Sequence, residues 1–137
     1  MIKSINCITF KAHDKTYYDG ENKIVECYND QNKLTRIVTY DKFERAILTN
    51  WFDEFERDIG FMRKDYLSDG DIIETCKTPT QEYTRTMHAF TKDGFHHRIE
   101  KYVSKTRPEN NYCHESIRNM FGELVKMISN GKVIFKQ

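Results

Sequence analysis

One stretch limits the folds open to this chain more than any other: the run from Tyr40 to Phe61. Phe43, Ile47, Trp51, Phe55 and Ile59 recur at every fourth residue, with Leu48, Phe52 and Met62 beside them. At about 100° per residue these positions make one apolar arc, opposite Arg45, Thr49, Asp53, Glu56 and Arg57. The spacing predicts an amphipathic helix with one buried face. Asp41, followed by Glu44, reads as a capping box, with Thr39 as a rival N-cap stapled by Val38 and Phe43. Gly60 reads as the stop. Trp51, the only tryptophan, sits mid-stripe and is expected at the centre of the core, where large aromatics dominate burial.

A chain of 137 residues is one domain by length and long enough to fold without staples. No apolar run approaches ~18 residues, so no membrane span is expected. The first residues, Met-Ile-Lys-Ser-Ile-Asn, do not read as a secretion signal. Cys7, Cys27, Cys76 and Cys113 form no C-x-x-C pair, so neither a zinc ribbon nor a redox motif is indicated. Reduced, mostly buried thiols and a cytoplasmic location are the expectation. With 22 basic and 21 acidic side chains, bulk charge gives no case for nucleic-acid steering.

Read in order, Ile2 to Phe10 is a first strand and Asp19-Gly20 a hairpin turn. Lys23 to Asn29 and Leu34 to Thr39 form a hairpin leading into the first helix. Asp71 to Thr78 is a strand ended by Pro79. Glu82 to Thr91 and Phe95 to Lys105 flank Asp93-Gly94, a pair that suits the positive φ values of a tight hairpin turn. That turn sets the register: Phe90 faces His97, His88 faces Ile99, Thr86 faces Lys101 and Thr84 faces Val103. From Glu109, the spacing of Cys113, Ile117, Met120, Phe121, Leu124 and Ile128 predicts a second helix, stopped by Asn130-Gly131. Lys132 to Lys136 closes as a strand. The expected fold is α+β: an antiparallel sheet of about six or seven strands with two amphipathic helices on one face. The hairpin–helix order occurs twice, which allows a duplicated unit.

Two sets of residues on the second hairpin could carry chemistry. His88 and His97 share a face at diagonal positions, with Lys101 on the same side. They could form an acid–base pair or hold a metal with a carboxylate, but spacing supplies no third ligand. Most strand histidines are simply hydrogen-bonded or exposed. The second set is Tyr83, Arg85, Arg98, Tyr102 and Lys105, a basic and aromatic mixture of the kind that contacts nucleic acid. Glu82 and Glu100 sit among them and can neutralise them across the ladder.

No phosphate loop, zinc-protease helix or nucleophile elbow is present, and no cofactor or metal is called for. The acids Asp53, Glu54, Glu56 and Asp58 are too few to suggest mimicry of a nucleic acid. The expectation is a small, non-enzymatic protein that binds a macromolecular partner stoichiometrically, most plausibly another protein, with tyrosines such as Tyr17, Tyr18, Tyr28, Tyr66 and Tyr112 available for contact. The alternatives are an RNA- or DNA-binding module using the 83–107 hairpin and a hydrolase or nuclease using the histidines. Abundant Lys and Asn, with alanine only at Ala12, Ala46 and Ala89, resemble the accessory proteins of AT-rich bacteria and their phages. An inhibitor of a host system, carried by a phage or mobile element, fits that composition.

Overall fold

The computed structural model describes residues 11–137. The strand expected over Ile2 to Phe10, and Cys7 with it, lie outside the described residues. Among the described residues there are eleven β-strands, a short 3-10 turn at Pro108–Asn110, and no α-helix. This corrects the α+β expectation of six or seven strands with two helices, and with it the repeated hairpin–helix unit. Contacts divide the chain into two compact units, residues 1–62 and 63–137.

In the first unit β1 (His13–Asp19), β2 (Asn22–Tyr28), β3 (Leu34–Tyr40) and β4 (Ala46–Phe52) pair antiparallel in chain order. β5 (Asp58–Tyr66) begins in this unit and ends in the next. The three loops after β2, β3 and β4 repeat one geometry every twelve residues, at positions 29, 41 and 53. Asn29 Oδ1 accepts the backbone N–H of Gln31 and Lys33, at 2.9 and 3.0 Å. Asp41 Oδ1 does the same for Phe43 and Arg45, at 2.9 and 3.0 Å. Asp53 Oδ1 does so for Phe55 and Arg57, at 2.8 and 2.9 Å. In each loop the third residue on has positive φ: Asn32 at 58°, Glu44 at 61° and Glu56 at 60°. These are side-chain-closed turns, for which Asn and Asp are suited because their short side chains bond the backbone two residues on.

The helical reading of 40–61 fails for a definable reason. A residue at every fourth position lies near one stripe of a helix, but four is also a multiple of two, so it lies on one face of a strand. The repeat then supplies the pattern: Phe43 and Phe55 occupy equivalent loop positions, and Ile47 and Ile59 equivalent strand positions. Asp41 satisfies backbone N–H groups, as an N-cap would, but those of a loop. Gly60 lies inside β5 rather than ending a helix. Phe43 and Phe55 are 66% and 67% exposed, with Arg45 and Arg57 over their rings at 5.0 and 4.9 Å.

In the second unit β6 (Ile72–Lys77), β7 (Glu82–Lys92), β8 (Phe95–Ser104), β9 (Tyr112–Arg118), β10 (Leu124–Ser129) and β11 (Lys132–Lys136) also pair antiparallel in chain order. The expected second helix is β9, a loop and β10. Asn119 Oδ1 closes that loop through the N–H of Phe121 and Glu123, both at 3.0 Å, and Gly122 has φ 82°. Asn130 and Gly131, with φ 50° and 81°, form a tight hairpin turn into β11 rather than a helix stop. The closing strand itself lies where it was expected.

Each unit is one layer of strands, so each side chain is covered mainly by its neighbours on the same face. No described side chain is fully buried. In the first unit the best-covered residues, Cys27, Val38 and Thr49, lie on one face, where Val25, Val38 and Thr49 stand side by side. Trp51 is half-buried on that face opposite Arg36. It is not at a helix–sheet junction. In the second unit Glu74, Cys76 and Ser104 are the buried residues.

Candidate binding face of the second unit

The β7–β8 hairpin has the register its turn predicts. Phe90 pairs with His97, His88 with Ile99, Thr86 with Lys101 and Thr84 with Val103. Asp93 and Gly94 take φ 53° and 80°. Alternation then separates the two candidate sets, except for Lys105. Tyr83, Arg85, Tyr102 and Arg98 lie on one face. His88, His97 and Lys101 lie on the other.

The first face is built around Glu74, which is 3% exposed. It stands opposite Arg85, which stands opposite Tyr102, which stands opposite Tyr112. Glu74 Oε1 accepts from Arg85 Nη2 at 3.0 Å, with Lys64 Nζ at 3.8 Å, and Oε2 accepts from the Tyr83 hydroxyl at 3.0 Å. Burial, then the Glu74 charge and hydrogen bond, push the Tyr83 hydroxyl pKa far above its ordinary value. Tyr112 donates to Glu100 Oε2 at 2.8 Å, and burial with that bond raises its pKa too. Burial disfavours the Arg85 charge, but the Glu74 and Glu100 carboxylates outweigh it and hold its pKa up. Arg85 Nε is buried with no hydrogen-bond partner.

Above this network the rings form a ladder. Tyr83 and Tyr102 lie 4.9 Å apart and tilted by 36°. Tyr102 and Tyr112 are stacked at 5.4 Å and 13°. Tyr112 and His114 are stacked at 4.3 Å and 15°. A groove of about 400 Å³ opens beside it, lined by Arg98, Glu100, His114, Glu115, Ser116, Met127 and Ile134. Lys105, the last member of the set, is exposed and falls on the opposite face, paired with Glu82 at 3.2 Å.

On the second face each histidine has its own carboxylate. His88 Nδ1 lies 2.6 Å from Asp71 Oδ1, and His97 Nδ1 lies 3.0 Å from Glu115 Oε1. The Phe90 ring stacks on both imidazoles, at 5.1 Å from His88 and 4.8 Å from His97. The histidines therefore share a face without sharing a proton acceptor. Lys101 is exposed on the same side, across from Thr86 and Cys113. Among the described residues no group of three or more His, Cys, Asp or Glu is placed to hold a metal.

Sequence reasoning placed Glu100 among this set but missed Glu74, Tyr112 and His114 as members of the same face. Tyr112 and His114 alternate along Tyr-Cys-His-Glu-Ser-Ile, a period-two signal overridden by the helical spacing downstream. Glu74 is a lone acid within the strand-like run Ile-Ile-Glu-Thr-Cys. An acid there needs a cation across the ladder, and Arg85 is that cation. No family model, curated protein or solved structure matches this chain.

Proposed function

We propose that the chain is a stoichiometric binding protein and that it engages another protein through the tyrosine-lined face of its second unit. The observation that carries this is how the rings are committed. Tyr102, Tyr112 and His114 stack on one another, which leaves their edges outward. The Tyr83 and Tyr112 hydroxyls are tied to Glu74 and Glu100. A base needs an open ring face to stack on, so this ladder suits nucleic acid poorly. Rigid aromatic anchors with their polar ends already bonded suit a protein contact, because little side-chain freedom is lost on binding. The neutralised pair Arg85–Glu74 favours the same reading.

No described helix is long and apolar enough to cross a membrane. Cys27, Cys76 and Cys113 are free thiols, in keeping with a reducing compartment such as the cytoplasm. The test is affinity capture from the native host, followed by titration of the purified partner. Saturation at one protein per target, lost in Tyr102→Ser and kept within a few-fold in a His88→Ala, His97→Ala double variant, is the expected result. An effect at far below one protein per target, or loss in the histidine variant with folding intact, would make the hydrolase or nuclease reading the leading one. Salt-dependent binding of oligonucleotides would favour the nucleic-acid module.

A further inference from the structure

The basic residues on the tyrosine-lined face are not all in the same state. Arg85 and Lys64 share Glu74. Arg98 differs: its side chain bonds Met87 Sδ, 3.1 Å from Nη2, and among the described residues no carboxylate lies within ion-pair distance of it. Glu100, its neighbour along β8, also lines the groove, but its carboxylate accepts the Tyr112 hydroxyl and its charge acts on Arg85. Glu115 is held on the opposite face by His97. Arg98 thus brings a cation without an ion-pair partner to the groove, whose other polar lining is Glu100, His114, Glu115 and Ser116.

The other wall is apolar and is shaped by a bulge. Ile128 pairs with Val133 and Met127 with Phe135, so Ile134 is an extra residue without a register partner. Such bulges re-aim a side chain locally. Here the extra side chain, 60% exposed, lines the groove beside Met127.

We infer that this groove receives an acidic, extended segment of the protein partner, one Asp or Glu carboxylate meeting Arg98 and an adjacent apolar side chain covering Met127 and Ile134. The inference rests on the protein-binding reading above and specifies its chemistry. A guanidinium offers paired donors that fit a carboxylate, and a charge-assisted bond is about twice as strong as a neutral one. A bare apolar segment would leave Arg98 desolvated without a partner, at a cost in affinity.

The test uses the full chain, immobilised, and a displayed library of random linear dodecapeptides. Recovered peptides are expected to carry Asp or Glu next to, or two residues from, a large apolar residue. Synthetic copies should lose roughly tenfold or more in affinity when the acid is replaced by its amide, or against Arg98→Gln. Arg98→Lys should retain part of the affinity, Ile134→Ser should weaken it several-fold, and Lys105→Gln should leave it unchanged. Recovery of no peptide, or of peptides whose binding ignores both the amide replacement and Arg98→Gln, overturns the inference. If those acid-independent peptides still require Tyr102, the protein-binding reading stands without it. Arg98-dependent binding of a twelve-nucleotide poly-dT strand, with no peptide binding, overturns both.

Discussion

The first unit covers a thiol, a valine and a threonine best; the second covers a glutamate, a thiol and a serine. Both are single layers of antiparallel strands, and both close loops with an Asn or Asp carboxamide or carboxylate oxygen. Yet the first repeats one loop three times over 29–57, and the second uses that loop once, at 119–123, among two-residue turns at 93–94 and 130–131 and other connections. A repeat builds sheet with local signals alone and needs few long-range constraints. A carboxylate under a tyrosine ladder is different, because burying it costs free energy that Arg85, Lys64 and Tyr83 must offset. Buried ion pairs are weak evidence of stability for its own sake. The second unit is therefore where the proposed binding function is placed, and the first is read as its scaffold.

The largest expected effect breaks that contrast at its centre. Glu74→Gln should destabilise the second unit by about 2–3 kcal/mol, below the full value for breaking a buried pair because Arg85 is a third exposed. Urea unfolding measures the loss, and hydrogen exchange localises it. Faster exchange in β6 to β9, with β1 to β4 unaltered, is expected. Val38→Ala in the first unit, a small truncation at a side chain 8% exposed, should cost about 1–2 kcal/mol. A larger loss there than at Glu74 would reverse the contrast.

Next come two turns of the second unit. Gly94 and Gly122 have φ of 80° and 82°, and a β-carbon at either would meet nothing within 4 Å. Valine at each is thus strained by its backbone alone, by about 1–2 kcal/mol. The two variants should be nearly equal in thermal unfolding, whereas a Gly122 within a helix would have given a smaller loss than Gly94. Trp51→Ala should cost about 1–2 kcal/mol, not the ~3–5 of a fully buried tryptophan, since Trp51 is half-buried in a cross-strand pair with Arg36. Its native fluorescence maximum should lie between those of buried and exposed indole.

These revisions mark what the sequence makes legible. Asp93-Gly94 is a turn whose chemistry fixes a two-residue geometry, so the register of ten paired positions followed from it. The faces of Tyr83, Arg85, Arg98 and Tyr102 came with that register. Asn130-Gly131 carries the same cue, but the apolar spacing before it imposed a helix. The loops at 29, 41 and 53 were hidden because no pair of glycines marks them. Their positive-φ residues are Asn32, Glu44 and Glu56. Only the twelve-residue recurrence of an aromatic, an Asx and a basic residue reveals them, as Tyr28-Asn29…Lys33, Tyr40-Asp41…Arg45 and Phe52-Asp53…Arg57. The Glu74–Arg85–Tyr83 network was beyond local reading, because it joins β6 to β7 through a pairing that no turn motif specifies.

The smallest effect concerns acid, and it separates loops that otherwise look alike. At Asp41 a desolvation cost is outweighed by the N–H groups of Arg45 and Phe43 and by the Arg45 guanidinium, so its pKa is lowered. Asp53 is lowered in the same way, first by the N–H of Arg57. A carboxyl with a depressed folded pKa contributes stability that is present above its unfolded value, about 3.9, and is lost as pH falls through the lower folded value. The loops at 41–45 and 53–57 should therefore loosen only in strong acid. Asn29 and Asn119 make equivalent bonds with carboxamides that do not titrate, so their loops should hold. Amide exchange of Phe43, Arg45, Phe55 and Arg57 measures one pair of loops, and that of Gln31, Lys33, Phe121 and Glu123 the other. After correction for intrinsic rates, protection should fall at the first four amides as pH drops below the ordinary carboxylate range, and persist at the second four. Asp41→Asn and Asp53→Asn should remove the difference while preserving the loop, because the accepting oxygen remains. Equal loss of protection in all four loops would mean that acid acts on the strands and not on these turns.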